Sequence, residues 1–350
     1  MDISEVSSDK LDQVKEKMKG LLYLPKNSQI TIPTDSAQVE FQTKYYDTEE
    51  VSDDTLNFKF LMPAIEVAKF EDLDFILGFD VSMQRIILAY KNVEDKFQAF
   101  NAHQQAAIIC DHIVLSVTRD KPYGESGLLL IKSMILSDQL DSIATKNGVP
   151  IKISHSGVDA LKETIDANMD GNEKVMAFDD RNTVILDQDL EKNPDVILGF
   201  FQSFFISLLA KNQTILDKHI DLQTRHRLYL EKTFNITRDT SIKKLFDKFR
   251  TKPPEDDLAD ELILITDYKK LTFQNKLTGR KGKLDFAQMD MVQLEYSSGL
   301  KITVESFEAE NRLAIHLSKY TNFTFKPKFA ETRKALHDSL LKTVVTLGKV

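Results

Sequence analysis

Segments typical of strands and of helices alternate through the middle of the chain, and this alternation limits the possible folds more than any other feature. Apolar runs predict strands, and one helix-like segment places Leu140, Ile143 and Ala144 on a single face before it ends at Gly148. The predicted strands are 73–79, 85–90, 128–134, 149–153, 174–178 and 183–186, and the helices between them are 101–117, 137–148 and 158–168. Because alternating elements bury their apolar faces against one another as layers, the sequence predicts a layered α/β domain.

The last third of the chain has a different pattern. Short alternating runs predict antiparallel strands around a Ser-Ser-Gly turn at 297–299, and an amphipathic segment at 329–347 predicts a closing helix. The predicted strands are 261–265, 291–296, 300–304 and 312–317. We therefore expect a small α+β domain to follow the α/β domain, which suits a chain of 350 residues.

Four segments follow from these patterns. Residues 1–57 form an N-terminal segment of unclear structure, with short strands predicted at 29–32 and 38–41. Residues 58–250 form the α/β domain with trailing helices, and 261–350 form the C-terminal α+β domain. Residues 251–260 contain two prolines and several acids, and this composition predicts a linker between the two domains.

Composition and charge argue against several classes of protein. Residues 1–19 are polar and charged, with no apolar core of a signal peptide, and the single cysteine, Cys110, cannot form an internal disulfide. The apolar run 196–210 is too short to span a bilayer and predicts a helix buried between layers. A net charge of −8 argues against general nucleic-acid binding. We expect a cytoplasmic protein with no membrane or nucleic-acid partner.

The first motif with chemical content follows the strand 73–79. The segment Leu73-Asp74-Phe75-Ile76-Leu77-Gly78-Phe79-Asp80-Val81-Ser82-Met83-Gln84-Arg85 resembles the metal loop of the α-D-phosphohexomutases, the family of phosphoglucomutase and phosphomannomutase. That family loop reads Asp-x-Asp-x-Asp-Arg, and its three aspartates hold Mg²⁺. Asp80 and Arg85 match the pattern, whereas Ser82 and Gln84 stand in place of the other two carboxylates.

Three further stretches resemble the same family in the same order. Residues 133–148 match a family helix that is scaffold. Ser156 and Gly157 match a family loop Thr-Gly-x-Lys that contacts the sugar phosphate, although Asp159 replaces its lysine. Asp179 and Arg181 lie where the family carries Glu-x-Ser-Gly, a loop that grips sugar hydroxyls, and neither its serine nor its glycine is present.

The last stretch resembles the family's phosphate loop, Arg-Pro-Ser-Gly-Thr-Glu-Pro-Lys. Glu310 is kept, and Arg312 is a basic stand-in for the lysine. The remaining positions of this degenerate loop are Glu305, Ser306, Phe307 and Glu308. Glu305 and Glu308 stand where the family loop has its arginine and its glycine, and their negative charges predict repulsion of a phosphate dianion.

The resemblance implies a phosphohexomutase-like fold over residues 58–350, with residues 1–57 either a remnant of the family's second domain or a docking arm. The sequence contains no counterpart of the family's phosphoserine loop. Because Mg²⁺ needs several oxygen ligands, we expect no catalytic residues, no metal and no cofactor here. We expect a pseudoenzyme with weak or no hexose phosphate binding, whose partner is another protein such as an active mutase.

Two alternatives remain open. The chain could be a phosphosugar-handling enzyme with an altered active site, or one that shares a site with a second chain. The other alternative is polyanion binding through the basic segment around Arg280, which includes Lys276, Lys281 and Lys283. Solvated loop residues explain this segment equally well. The seven histidines show no spacing typical of zinc, apart from an i, i+7 pair at His219 and His226.

Overall fold

The computed structural model describes residues 16–33, 37–48, 56–92, 94–169, 174–237 and 242–348. The chain divides into two compact units between His219 and Ile220, and each is described by itself. Both combine helices with sheets, so the predicted α/β class with a C-terminal α+β part is confirmed.

The first unit contains a five-stranded sheet in the order β2-β1-β3-β4-β5. Its strands are β1 (Met18–Pro25), β2 (Val39–Tyr46), β3 (Phe75–Phe79), β4 (Ile86–Lys91) and β5 (Phe97–Ala99), and α1 (Met62–Phe70) and α2 (Ala102–Thr118) also belong to this unit. β1 is parallel to both β2 and β3, while β3, β4 and β5 are antiparallel. Part of the segment 1–57 is therefore an integral part of this sheet.

The position of β1 differs from the strands predicted for this segment, because β1 lies at 18–25 instead of 29–32. Gly20 explains why the segment 18–25 can lie beside β3 in the sheet. A Cβ at Gly20 would lie 2.0 Å from Cε2 of Phe75, so only glycine leaves room for that ring. Phe75 in turn stacks on Phe205 with ring centroids 3.9 Å apart.

A second sheet in the first unit has the order β7-β6-β8-β9. It consists of β6 (Leu128–Ser133), β7 (Ile151–Ser154), β8 (Lys174–Phe178) and β9 (Val184–Ile185), with α3 (Gln139–Lys146) and α4 (Val158–Asp166) between strands. β6, β7 and β8 are parallel. This is the alternation seen in the sequence, and Leu161 and Ile165 of α4 pack against Leu129 and Ile131 of β6.

α5 (Asn193–Ala210) is the one helix in the described part of the chain that is long and apolar enough to cross a membrane. One side of this helix is buried in the first unit, as predicted for the run 196–210, while Val196 is 36% exposed. The fully or almost fully buried residues include Ile197, Leu198, Phe201, Phe204, Phe205 and Leu208. Contact with the sheet, as in the pair Phe75 and Phe205, accounts for its apolar composition.

The second unit is built on a seven-stranded antiparallel sheet in the order β10-β16-β15-β14-β11-β12-β13. The strands are β10 (Leu228–Thr237), β11 (Leu262–Asp267), β12 (Thr272–Asn275), β13 (Lys281–Lys283), β14 (Met291–Tyr296), β15 (Leu300–Phe307) and β16 (Arg312–Thr321). The helices are α7 (Ile242–Thr251), α8 (Glu255–Leu258) and α9 (Phe329–Leu347), while α6 (Ile215–His226) crosses the boundary.

The second unit begins about forty residues earlier than the domain predicted for 261–350. β10 pairs with β16 along its whole length, and Phe246 and Phe249 of α7 are buried in the core of the second unit. The predicted linker 251–260 therefore follows a helix that already belongs to this unit. The sequence analysis predicts no strand at β10, which begins at Leu228, close behind the helix that ends at His226.

The buried environment of His112 generates a prediction about acid stability. The ring of His112 meets Phe204 edge-on at 5.3 Å, and the neighbouring Asp111 is fully buried and pairs with Lys218 Nζ at 2.7 Å. Burial, followed by the charge of Lys218, lowers the pKa of His112 from 6.5 to about 4. In the folded protein the ring therefore stays neutral where an unfolded chain would protonate it.

The unfolded state binds more protons than the folded state between pH 6.5 and about 4, so the free energy of unfolding should fall as pH falls through this window. His112→Leu should weaken this dependence, as measured by chemical denaturation at several pH values. His337→Gln, at a side chain that is 53% exposed, is the matched control and should leave the dependence unchanged. Equal slopes for the wild type and His112→Leu would contradict this explanation.

Candidate functional site

The turn between β3 and β4 is closed by Asp80, the first residue of the predicted metal loop. Asp80 Oδ1 accepts the backbone N–H of Arg85 at 3.0 Å, and Oδ2 accepts the hydroxyl of Ser82 at 2.7 Å. The backbone N–H of Asp80 also donates to the carbonyl of Arg85 at 3.1 Å. Asp80 is 4% exposed, so its carboxylate stabilises a tight turn from the inside.

Gln84, in the same turn, is held by hydrogen bonds at both ends of its amide. Its Nε2 donates to the carbonyl of Leu190 at 2.8 Å, and its Oε1 accepts Nδ2 of Asn193 at 2.7 Å. Asn193 is fully buried, donates also to the carbonyl of Val184 at 2.8 Å, and accepts the N–H of Leu186 at 2.7 Å. The Gln84–Asn193 pair therefore joins the turn to β9 and to the start of α5.

The loop after β8 is organised by Asp179 in the same manner. Asp179 Oδ1 accepts the backbone N–H groups of Arg181 and Thr183, each at 2.9 Å, and Oδ2 accepts the N–H of Gly157 at 2.9 Å. Asp179 is 1% exposed. Gly157 has a φ of +112° and precedes the first residue of α4, so one buried carboxylate fixes both predicted sugar loops.

Hydroxyl groups surround the next residue, Asp180. Its Oδ1 accepts the hydroxyl of Ser133 at 3.0 Å and also the hydroxyl of Ser156. Ser133 ends β6, Ser156 follows β7, and Asp180 follows β8, so these groups meet at the carboxyl edge of three parallel strands. This is the edge at which open α/β sheets commonly bind ligands. The side chains of Asp159 and Arg181 are exposed.

Backbone pairing joins the turn 80–85 to the loop after β8. Arg85 and Thr183 form an antiparallel bridge, the N–H of Ile86 donates to the carbonyl of Asn182 at 3.0 Å, and the N–H of Val184 donates to the carbonyl of Gln84 at 2.9 Å. The structure therefore brings the predicted metal loop and the predicted sugar loops of the first unit together.

Tyr46 lies beneath the same turn. Its hydroxyl donates to the carbonyl of Phe79 at 2.8 Å, and the side chain is 5% exposed. Burial, followed by the charge of Asp80, raises the pKa of Tyr46 well above its usual value. The phenol therefore stays protonated and serves as a hydrogen-bond donor under the β3 end.

The predicted phosphate loop, 305–312, forms a β-hairpin in the second unit. Glu305, Ser306 and Phe307 belong to β15 and pair with Ala314, Leu313 and Arg312 of β16. Glu308–Glu310 is a short 3-10 turn, after which Asn311 adopts a left-handed conformation with a φ of +48°. Asparagine tolerates this region better than most residues, so the chain reverses here without the glycine of the family loop.

Arg312 has partners on three sides in this hairpin. Its Nε donates to Glu310 at 2.9 Å, one terminal nitrogen donates to Asn235 Oδ1 at 3.0 Å, and its Cζ lies 3.9 Å from the ring centroid of Phe307. Nearby, Lys269 Nζ lies 2.5 Å from Asp290 and 4.0 Å from Glu308. The bond to Asp290 raises the pKa of Lys269, although burial opposes this.

Within the described residues, no group of three or more histidine, cysteine, aspartate or glutamate side chains could hold a metal ion. Cys110 is buried, and burial raises the pKa of its thiol well above the usual value. This thiol therefore remains protonated and unreactive.

The sequence indicated Asp80, Ser82 and Gln84 in one loop and Ser156, Gly157 and Asp179 in two others, and the structure places these loops side by side. It missed the contributions of Ser133, Asp180 and Asn193. Ser133 was assigned only to scaffold, and Asn193 lies just before the predicted buried helix 196–210 and was given no role in the site. Their position at the ends of neighbouring elements was the available signal, but it becomes informative only once strand order is known.

Sequence comparisons give no relative: no protein-family model matches the chain, and no curated protein matches it. Solved structures do match its fold. The exocytosis-sensitive phosphoprotein pp63/parafusin (phosphoglucomutase) from Paramecium, in its open form, has a TM-score of 0.51 at 10% identity, covering 79% of this chain and 46% of that protein.

Two other matches have lower scores. A phosphoglucomutase/phosphomannomutase family protein from Burkholderia thailandensis has a TM-score of 0.49 at 13% identity, covering 95% of this chain and 64% of that one. The N-acetylphosphoglucosamine mutase of Aspergillus fumigatus has a TM-score of 0.45 at 11% identity, covering 93% and 62%.

The chain spans less than two thirds of the length of each of these three proteins. The match to parafusin extends over most of this chain. The chain therefore has the fold of the α-D-phosphohexomutases.

Proposed function

We propose that this chain is a non-enzymatic binding or regulatory module built on the phosphohexomutase fold. The observation that carries the proposal is the Gln84–Asn193 pair. Gln84 stands where the resemblance implies a magnesium-binding carboxylate, yet both ends of its amide are bonded to buried protein groups. This side chain serves the fold, and turning it toward a ligand would break two buried hydrogen bonds.

The neighbouring donors are unsuitable for Mg²⁺ as well. The Ser82 hydroxyl donates a hydrogen bond to Asp80, and both oxygens of Asp80 already accept hydrogen bonds that close the turn. Mg²⁺ requires near-octahedral oxygen coordination and usually takes carboxylates together with substrate phosphate. One carboxylate in this geometry does not meet that requirement, so the proposed protein has no tight magnesium site and needs no cofactor.

The hairpin 305–312 supports the same proposal from the second unit. Arg312 is the only cation among these eight residues, and Glu310, Asn235 and Phe307 already occupy its guanidinium group. Glu305 and Glu308 add negative charge near any anion that approached this hairpin. Weak or absent hexose phosphate binding follows, because repulsion replaces the usual attraction.

A protein partner fits this proposal better than a small substrate. The fold is retained while the groups that would perform phosphoryl transfer are tied into hydrogen bonds or replaced, which is the pattern expected when folding is still needed and turnover is not. An active mutase is the partner of first choice, and the cytoplasm is the compartment in which such enzymes and their phosphosugars would meet this chain.

The proposal predicts no turnover of glucose 1-phosphate or mannose 1-phosphate. A coupled assay with Mg²⁺ and the hexose bisphosphate activator should give the rate of the blank, with an active phosphoglucomutase as the positive control. Addition of the chain to that active enzyme tests the regulatory role in the same assay. Turnover by the chain alone that scales with its concentration would refute the proposal.

Gln84→Asp, which restores one family carboxylate, should destabilise the fold. The shorter acid would face the carbonyl of Leu190 from a position that is 7% exposed, and we expect a loss of roughly 3 kcal/mol in the free energy of unfolding. Denaturation with and without Mg²⁺ measures it. Val81→Asp adds the same charge at a 41% exposed position of the same turn and should cost little.

If millimolar Mg²⁺ stabilised Gln84→Asp and not Val81→Asp, the turn would be a metal site that lacks only the carboxylate at position 84. That result would contradict the proposed structural role of Gln84.

A second candidate function is supported by the hydroxyl cluster around Asp180. Ser156 and Asp180 are partly exposed and meet the buried Ser133 at the carboxyl edge of β6, β7 and β8, and the two partly exposed groups can exchange hydrogen bonds with sugar hydroxyls. A phosphosugar-handling enzyme with an altered or shared active site would use this edge. Binding of sugar hydroxyls by this cluster needs no metal, so it does not depend on the magnesium-binding carboxylate that Gln84 replaces.

This candidate predicts that Ser156→Ala weakens hexose phosphate binding by about fivefold, the equivalent of one lost hydrogen bond. Calorimetry with glucose 1-phosphate and mannose 1-phosphate measures the affinity. Asp159→Asn, at an exposed position three residues away, is the control for a general change of charge. No binding heat from the wild-type chain would remove this candidate and leave the non-enzymatic proposal in place.

A further inference from the structure

The basic segment of the sequence folds into an exposed hairpin at the edge of the second unit's sheet. We define the basic hairpin as residues 270–283, which contain five cations and no carboxylate in a chain of net charge −8. The cations are Lys270, Lys276, Arg280, Lys281 and Lys283, and all five side chains are exposed. β12 and β13 form its two strands, and β13 is the last strand of the sheet.

The tip of the basic hairpin has a built turn. Asn275 Oδ1 accepts the N–H of Thr278 at 2.8 Å, the N–H of Asn275 donates to the carbonyl of Arg280 at 2.8 Å, and Gly279 has a φ of +69°. Leu277 lies at the tip of this turn and is 61% exposed. A large apolar side chain is therefore presented to solvent between Lys276 and Arg280.

The two faces of the hairpin carry different cations. Lys281 and Lys283 pair with Gln274 and Thr272, so their side chains share one face. Gly282 pairs with Phe273 on the other face, where the Cζ of Arg280 lies 6.0 Å from the Phe273 ring centroid. Positive charge thus surrounds the tip on both faces, and in the described residues Lys276, Lys281 and Lys283 have no carboxylate partner.

We propose that the basic hairpin docks on an anionic lipid bilayer, with Leu277 entering the interface and the surrounding cations contacting lipid headgroups. A projecting tip with an exposed leucine fits a surface that the side chain can penetrate. Nucleic acid would also attract the cations but gives an exposed leucine nothing to bury against. This inference concerns a surface outside the proposed loops, and it revises the expectation from sequence that no membrane is involved.

The physical basis is the combination of a single apolar anchor with several charges. Cations near an anionic leaflet each strengthen binding, and one buried side chain adds a term that does not depend on salt. Neither part suffices for permanent attachment, so binding should be reversible and should weaken as ionic strength rises.

The test uses the full chain and sedimentation with vesicles of phosphatidylcholine, alone or mixed with phosphatidylserine. Binding to the mixed vesicles only is expected. Leu277→Ser should reduce partitioning by at least tenfold, as expected for the loss of a buried leucine side chain. Val345→Ser removes an equally exposed apolar side chain, 58% exposed on α9, and should bind like the wild type.

A charge-matched comparison tests the lysines. The triple variant Lys276→Ala, Lys281→Ala, Lys283→Ala should lose roughly a hundredfold in partitioning, about fivefold for each cation. The control replaces three exposed lysines elsewhere, Lys69→Ala, Lys152→Ala and Lys328→Ala, and has the same net charge. Equal losses in the two triple variants would overturn the proposal, because overall charge would then explain binding.

Insertion can be read directly because the chain contains no tryptophan. Leu277→Trp introduces a single reporter, and its emission should shift to the blue and be quenched by brominated lipid when mixed vesicles are added. Absence of vesicle binding, binding without a blue shift, or retention of the hairpin on single-stranded RNA but not on vesicles would each overturn the proposal. Circular dichroism of every variant should match the wild type, since all altered side chains are exposed.

Discussion

The hydrogen bond between Gln84 and Asn193, with the bonds that both side chains make to the backbone, fixes the geometry on which the candidate site depends. An amide buried without partners is costly, and here every bond of the pair is satisfied by the other side chain or by the backbone of Leu190, Val184 and Leu186. The turn that contains Gln84 therefore meets the segment 184–193, which is distant in sequence, at one place. Hydrogen bonds within the first unit set the shape of this loop.

Asp80 and Asp179 extend this principle to charged groups. Each carboxylate is almost completely buried, and each accepts backbone N–H groups that would otherwise lack partners at the end of a strand. Charge-assisted bonds of this kind stabilise tight turns. The groups of a catalytic site must be held in place and still be free to bind substrate. Both oxygens of Asp80 instead accept hydrogen bonds that close the turn 80–85, and this is the physical basis of the proposed loss of catalysis.

Local pattern predicted the helices and parallel strands of the first unit because each of these elements is regular over its own length. It failed where the deciding contact is distant. β1 became a strand because Gly20 admits the Phe75 ring, and β10 because β16 supplies a partner for all ten of its residues. Within the site, Asp80 and Asp179 could be found by resemblance, but Asn193 could not, because its role exists only once Gln84 lies beside it.

The cations of the basic hairpin have two possible explanations, protection of a sheet edge and docking on a ligand. Lysines on an edge strand protect a sheet from pairing with other chains, and this explains Lys281 and Lys283 on β13 without any ligand. Edge protection does not require an apolar residue at the turn, and it gives no reason for Leu277 to be 61% exposed among cations. The proposed docking on a bilayer therefore depends on this leucine, because the cations alone would suit a solvated edge equally well.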